Sequence, residues 1–117
     1  MAPAFLRLLL PLLCLVLSAL PSPKAKAASF DCAKAGSAVE RMICRDSGLS
    51  SLDEEMAAAF RAAGGGGVPE LRAGQREWLA ERNRCRTESC LRTAYEQRVA
   101  TLSAIPEARE ASPAPAA

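Results

Sequence analysis

The chain has no histidine among its 117 residues, and only one Trp, one Tyr and three Phe. Without imidazole, Ser-His and Cys-His nucleophilic pairs, imidazole general bases and His-containing metal sites are excluded within the chain itself. No segment alternates apolar and polar residues with period two, so nothing asks for a half-buried β-strand. Long apolar runs are scarce as well. The main one, Leu8 to Leu20, is 13 residues long, whereas a helix needs roughly 20 to cross the hydrocarbon of a bilayer. What is left points to a small all-α protein that binds, and away from an enzyme.

That short run has the form of a secretory signal. Arg7 precedes it, Pro21 and Pro23 end it, and Ala25-Lys26-Ala27 offers the small-x-small pattern of a signal peptidase site. Residues 1–27 are therefore expected to be a cleaved signal peptide, with Ala28 as the new N-terminus. An uncleaved N-terminal tether is the alternative reading. Cys14 lies inside the apolar run without the small residues that precede a lipid-modified cysteine, so no stable membrane anchor is expected after cleavage. Removing residues 1–27 takes away Arg7, Lys24 and Lys26 and no acid. The formal charge of +2 then becomes 12 basic against 13 acidic residues, or −1. A domain-wide basic footprint for nucleic acid disappears with the signal. Arg82, Arg84 and Arg86 remain a local cluster that suits the C-terminal end of a helix dipole.

Cleavage also turns five cysteines into four: Cys32, Cys44, Cys85 and Cys90. In an exported chain of this size an even set reads as disulfides, because the compartment is oxidising and the core is small. The spacing lacks the C-x2-C knuckles of a zinc site, and no metal or other cofactor is expected. Spacing leaves three pairings open. The local one, Cys32 with Cys44 and Cys85 with Cys90, is preferred because each pair lies close in sequence across an expected helix end or corner. Closing these loops contributes about 3 kcal/mol for the longer and about 2 kcal/mol for the shorter, a large share of a typical domain's 5–15 kcal/mol or so.

Four helices are expected. Ser37-Ala-Val-Glu40 has the form of a capping box and opens a short helix from about Ala38 to Cys44, with Val39, Met42 and Ile43 turned inward and Gly48 closing the segment. Ser51-Leu-Asp-Glu54 repeats the capping pattern for a second helix whose stripe is Leu49, Leu52, Met56, Phe60 and Ala63. Gly64 to Gly67 is a loop, since each glycine costs a helix up to about 1 kcal/mol. It resembles a phosphate-cradling loop in composition only. Pro69 suits the first turn of a third helix, with Leu71, Trp78 and Cys85 along one face and Gln75, Leu79 and Arg82 beside it. A fourth starts near Thr87 to Ser89 and carries Leu91, Tyr95, Val99 and Leu102. Ile105-Pro106 is expected to end the order, so the helical domain is bounded at 28–104 and residues 105–117 form a disordered Ala/Pro tail.

Trp78 and Tyr95 read as core aromatics. Asp53, Gln75, Arg82 and Arg98 lie on or beside core-facing stripes, where polar groups have to be satisfied. A carboxylate-guanidinium contact of Asp53 with Arg82 or Arg98 is expected to tie the second helix to the third or fourth, and a binding surface is the alternative for these four. Asp53 and Glu54 do not make a glycosidase pair, because neighbours on a helix point about 100° apart.

Phe30-Asp31-Cys32-Ala33-Lys34-Ala35, Val39-Glu40, Ile43-Cys44, Leu49, Leu52-Asp53, Gln75, Trp78-Leu79, Arg82, Cys85, Cys90-Leu91, Tyr95 and Arg98 together resemble the bacterial lysozyme-inhibitor LprI-like N-terminal domain family over about Ser29 to Leu102. The resemblance implies an exported helical domain, in some members associated with inhibition of lysozyme, and with the signal segment it makes a secreted or periplasmic location the expectation. Candidate partner-binding residues are Asp46 and Ser47 after the first helix, and Arg84, Arg86, Thr87 and Glu88 at the third corner. The partner would be lysozyme or another envelope protein. The alternative is a structural or interaction module of the envelope with no inhibitory activity.

Overall fold

A computed structural model describes residues 28–112. The expected signal segment and the last five residues lie outside the described residues. A 3-10 turn at Cys32–Lys34 leads into α1 (Ala38–Arg45), α2 (Ser47–Ala62), a second 3-10 turn at Gly65–Gly67, α3 (Pro69–Arg82) and α4 (Glu88–Ala111). The described residues hold no strand, and the all-α, disulfide-stapled bundle expected from the sequence is what forms. Its main interface is α2 against α4, with α1 lying on α2. Ile43, Leu49, Leu91, Tyr95 and Leu102 are fully buried between them.

The disulfides are Cys32–Cys44, with Cα atoms 5.8 Å apart, and Cys85–Cys90, at 5.5 Å. The local pairing is the one that occurs. The first pins the N-terminal coil to the end of α1, and the second closes the α3–α4 corner.

Ser37 and Glu40 form the expected capping box: the Glu40 amide donates to Ser37 Oγ at 3.0 Å, and the Ser37 amide donates to Glu40 Oε2 at 3.1 Å. A further donor, the Gly36 amide at 2.7 Å, joins the Ser37 amide in holding the Glu40 carboxyl below its ordinary range. The second helix departs from expectation. Its N-cap is Asp46, whose Oδ1 accepts from the Leu49 amide at 2.9 Å, and its first residue is Ser47. Asp46 also ends α1, so a single residue separates the two helices. Gly48 therefore sits in the first turn of α2 and does not punctuate α1. A Cβ there would lie 3.1 Å from both Arg92 Nη1 and Asp46 Oδ1, so the glycine makes room for a pair that crosses it. Asp46 prevails over Ser51 as the cap because starting at Ser47 brings Leu49 and Ser50 into the helix and buries both, with Ser50 Oγ donating to the Ile43 carbonyl at 2.7 Å.

The glycine run makes a tight reversal. Gly64 has φ of 118° and Gly65 of 51°, a left-handed region that suits glycine. Pro69 opens α3 as expected, but α3 stops at Arg82, three residues short of Cys85. The expected end of order at Ile105-Pro106 needs correction: α4 crosses Pro106 and continues to Ala111. Pro106 removes one amide that would bond to the Leu102 carbonyl. The helix carries on because Ile105 packs on the core and Glu107 to Ala111 are mostly strong helix formers.

The two caps can be told apart in solution. Asp46→Ala is expected to cost about 1–2 kcal/mol of unfolding free energy, whereas Ser51→Ala, exposed inside the helix, stays within about 0.5 kcal/mol. Urea denaturation of both variants checks this, and a larger loss at Ser51 would restore it as the cap.

Candidate functional site

The buried polar residues meet on one carboxylate. Asp53, on α2, is 1% exposed. Its Oδ1 accepts from the Tyr95 hydroxyl of α4 at 2.7 Å, and that hydroxyl accepts from Arg82 Nη1 of α3 at 3.1 Å. Arg82 Nη1 itself stands 3.9 Å from Asp53 Oδ1. The expected carboxylate-guanidinium contact thus forms with Arg82, and Tyr95 bridges it. Asp53 Oδ2 accepts from the Ser29 amide at 2.7 Å and from the Ser29 hydroxyl. Arg82 spends its remaining donors on Asn83 Oδ1, at 3.2 and 2.9 Å, and stands 5.7 Å from the Trp78 ring, within cation-π range.

The aromatic pair frames this network. Trp78 and Tyr95 meet edge to face with centroids 5.2 Å apart and planes at 67°. The Trp78 indole donates to the Ala94 carbonyl at 3.2 Å. Tyr95 is fully buried, as expected, while Trp78 is half-buried. Burial pushes the Tyr95 hydroxyl far above the ordinary tyrosine range, outweighing the nearby Arg82 charge, which acts the other way.

Arg98 does not reach Asp53. Its Nε donates to Gln75 Oε1 at 3.1 Å, and Gln75 Nε2 faces Met56 Sδ at 3.0 Å. A second polar link therefore runs from α4 through α3 to α2. Arg98 Nη2 is buried without a partner, and burial lowers this guanidinium's pKa.

The candidate partner-binding residues gather at one end of the bundle. Asp46 Oδ2 lies 3.6 Å from Arg92 Nη2, one turn into α4 from Glu88, which sets the α1–α2 junction beside the α3–α4 corner. Ser47, Arg84, Arg86, Thr87 and Glu88 are all exposed. Asp46 is half-buried and occupied with its cap and with Arg92, so it shapes the end and leaves the exposed residues free. Thr87 Oγ1 caps α4, accepting from the Cys90 amide at 3.1 Å. From this corner a groove of about 720 Å³ runs between α3 and α4, past Trp78, Thr93, Gln97 and Arg98. Among the described residues no three His, Cys, Asp or Glu side chains cluster as metal ligands would.

Ser29, Asn83 and Arg92 had no signal in the periodicity. Ser29 and Asn83 lie outside the helices, and Arg92 is a partly exposed cation on α4. The Ser29 neighbourhood was legible only as the start of the stretch resembling the family.

Over 90 residues, 73% of this chain, the sequence is 32% identical to proteins named lipoprotein LprI from Mycobacterium bovis and Mycobacterium tuberculosis. The chain is similar to LprI. It spans 45% of the length of the LprI chains that it matches. No family model matches the chain, and no solved structure does. Similarity to LprI and the two disulfides are consistent with an envelope or extracellular location. No helix among the described residues is long and apolar enough to cross a membrane.

Tyr95 is the only tyrosine, so its titration can be followed by absorbance without ambiguity. The midpoint is expected well above the ordinary value of about 10, and a midpoint near 10 would contradict the buried bridge. Because the folded pKa is raised, stability is full below about pH 10 and falls as pH rises further. Tyr95→Phe removes the bridging hydroxyl and is expected to cost about 1–3 kcal/mol in chemical denaturation.

Proposed function

We propose that this chain is an exported binding protein of the bacterial cell envelope that docks through its disulfide-closed end, with lysozyme as the partner to test. The observation that carries the reading is the clustering of exposed Ser47, Arg84, Arg86, Thr87 and Glu88 around the Cys85–Cys90 corner. A corner closed by a disulfide and capped by Thr87 has little conformational freedom to lose on binding, and pre-organisation of this kind improves affinity. Similarity to LprI supports the envelope setting. The family resemblance supports the choice of partner.

The chemistry of the corner suits that partner. Lysozymes of the animal type act through two carboxylates in an open cleft, and arginine presents a planar fork of donors matched to a carboxylate. Arg84 and Arg86 at a rigid projection are residues of the right kind to enter such a cleft. The reading assigns binding without turnover, no cofactor and no nucleic-acid role.

A turbidity assay with the disulfides intact tests it. The protein is expected to slow lysis of cell-wall suspensions by lysozyme. Combined Arg84→Ala and Arg86→Ala is expected to weaken inhibition by about tenfold or more, equivalent to about 1.4 kcal/mol, with little change in Tm. Lysis unchanged at high micromolar protein would discard the lysozyme reading and leave an envelope interaction module to be identified by pull-down.

A further inference from the structure

The residues just after the expected signal peptidase site are tied to the core, although Ser29 itself is exposed. Ala28 is fully buried within the apolar cluster, and Phe30 packs against it. Between them Ser29 gives both its amide and its hydroxyl to Asp53 Oδ2. Such placement is unusual for a chain terminus, which is ordinarily poorly ordered unless something ties it down.

Asp53 meets its cation, Arg82, only at Oδ1 and at long range, through the bridging Tyr95 hydroxyl, while its Oδ2 is served by Ser29 alone. Its oxygens are served by two hydroxyls and one amide, all neutral, and its nearest guanidinium nitrogen is Arg82 Nη1 at 3.9 Å. A carboxylate this deeply buried is ordinarily paired with an opposite charge. Ala28 is the residue before Ser29, and successive Cα atoms are about 3.8 Å apart. A charge on the Ala28 nitrogen would therefore sit beside the Ser29–Asp53 contact.

We propose that cleavage between Ala27 and Ala28 supplies that charge: the α-ammonium of Ala28 becomes the counter-ion of Asp53 and locks the first residues onto α2. Hydrolysis adds one water across the amide, leaving a carboxylate on Ala27 and a protonated amine on Ala28. Removal of the signal then completes the buried polar network as well as releasing the chain. Because Ala28 ends up buried, the cut precedes folding. The proposal rests on the exported reading above.

The groups around the Ser29–Asp53 contact are Asp53 on α2, Arg82 on α3 and Tyr95 on α4, while Glu40 of α1 and Arg61 of α2 line, with Ser29 and Asp53, a separate pocket beside it. An α-amine ordinarily titrates near pH 8 or a little below. Pairing with a carboxylate raises that value, so the stabilisation is full below about pH 8 and is lost as pH rises through the higher folded pKa.

The test uses the full chain exported from a bacterial host. Intact mass is expected to show a product beginning at Ala28. Under a limiting amine-reactive reagent near neutral pH, the Ala28 amine is expected to react about tenfold or more slowly in the folded protein than after reduction and unfolding. Lys34, exposed and the sole lysine after Ala27, is the internal reference. A second chain with Gly-Ser inserted between Ala27 and Ala28 keeps every residue of the network but moves the amine away. It is expected to melt about 4–8 °C lower near neutral pH, with the gap closing by about pH 10.5, where an α-amine is mostly neutral. A product that begins at Ala28 with an amine as reactive folded as unfolded, or an insertion with equal Tm at both pH values, would overturn the proposal alone. Retention of residues 1–27, or cleavage elsewhere, would overturn it together with the exported reading.

Discussion

A carboxylate taken out of water costs several kcal/mol unless its oxygens find donors, and Asp53 finds them on other parts of the chain. The Tyr95 hydroxyl comes from α4 and the Ser29 amide and hydroxyl from the N-terminal coil, with Arg82 of α3 reaching the carboxylate through Tyr95. Displacing any one of these strands a buried oxygen or a buried hydroxyl. The relative placement of α2, α3, α4 and the lead-in segment is thus constrained by one side chain whose needs are directional, which apolar burial alone would not achieve.

The apolar contacts supply breadth around that point. Leu49, Leu91 and Leu102 fill the α2–α4 interface, and α1 closes its end through Val39 and Ile43. α3 is less deeply seated: among its residues only Arg82 is buried. It is held by the Trp78–Ala94 hydrogen bond, the Gln75–Arg98 link and the disulfide just beyond its end. The covalent staple lies where the apolar packing is thinnest, as expected for a domain of this size.

Much of this was legible in the residues because their signals were local or periodic. Ser37 and Glu40 announce α1, Leu91, Tyr95, Val99 and Leu102 announce α4, and each cysteine pairs with its neighbour in sequence. The start of α2 is ambiguous in the sequence because two capping patterns overlap there. The choice between Asp46 and Ser51 depends on burying Leu49 and Ser50, which is a tertiary matter. Pro106 reads locally as a stop, yet the packing of Ile105 on the core outweighs one missing hydrogen bond. The ring and stripe position of Tyr95 mark it as a core residue, while its role as the bridge between Asp53 and Arg82 needs three helices in position at once. Of the proposed docking end, the residues at each corner could be named from the sequence. Their meeting at one end depends on the Asp46–Arg92 pair, which joins residues on two helices far apart in the chain.

The edge-to-face contact of Trp78 with Tyr95 gives the protein an optical property. These are its only tryptophan and its only tyrosine, and 5.2 Å between ring centroids is close enough for excitation absorbed by the phenol to pass to the indole. Because that phenol touches Asp53 and a guanidinium stands near that indole, the emission of the native chain reports on the integrity of its buried network without any attached dye. The half-buried side of the indole lines the groove that opens at the disulfide corner, so the same fluorophore views the core on one side and the candidate docking end on the other.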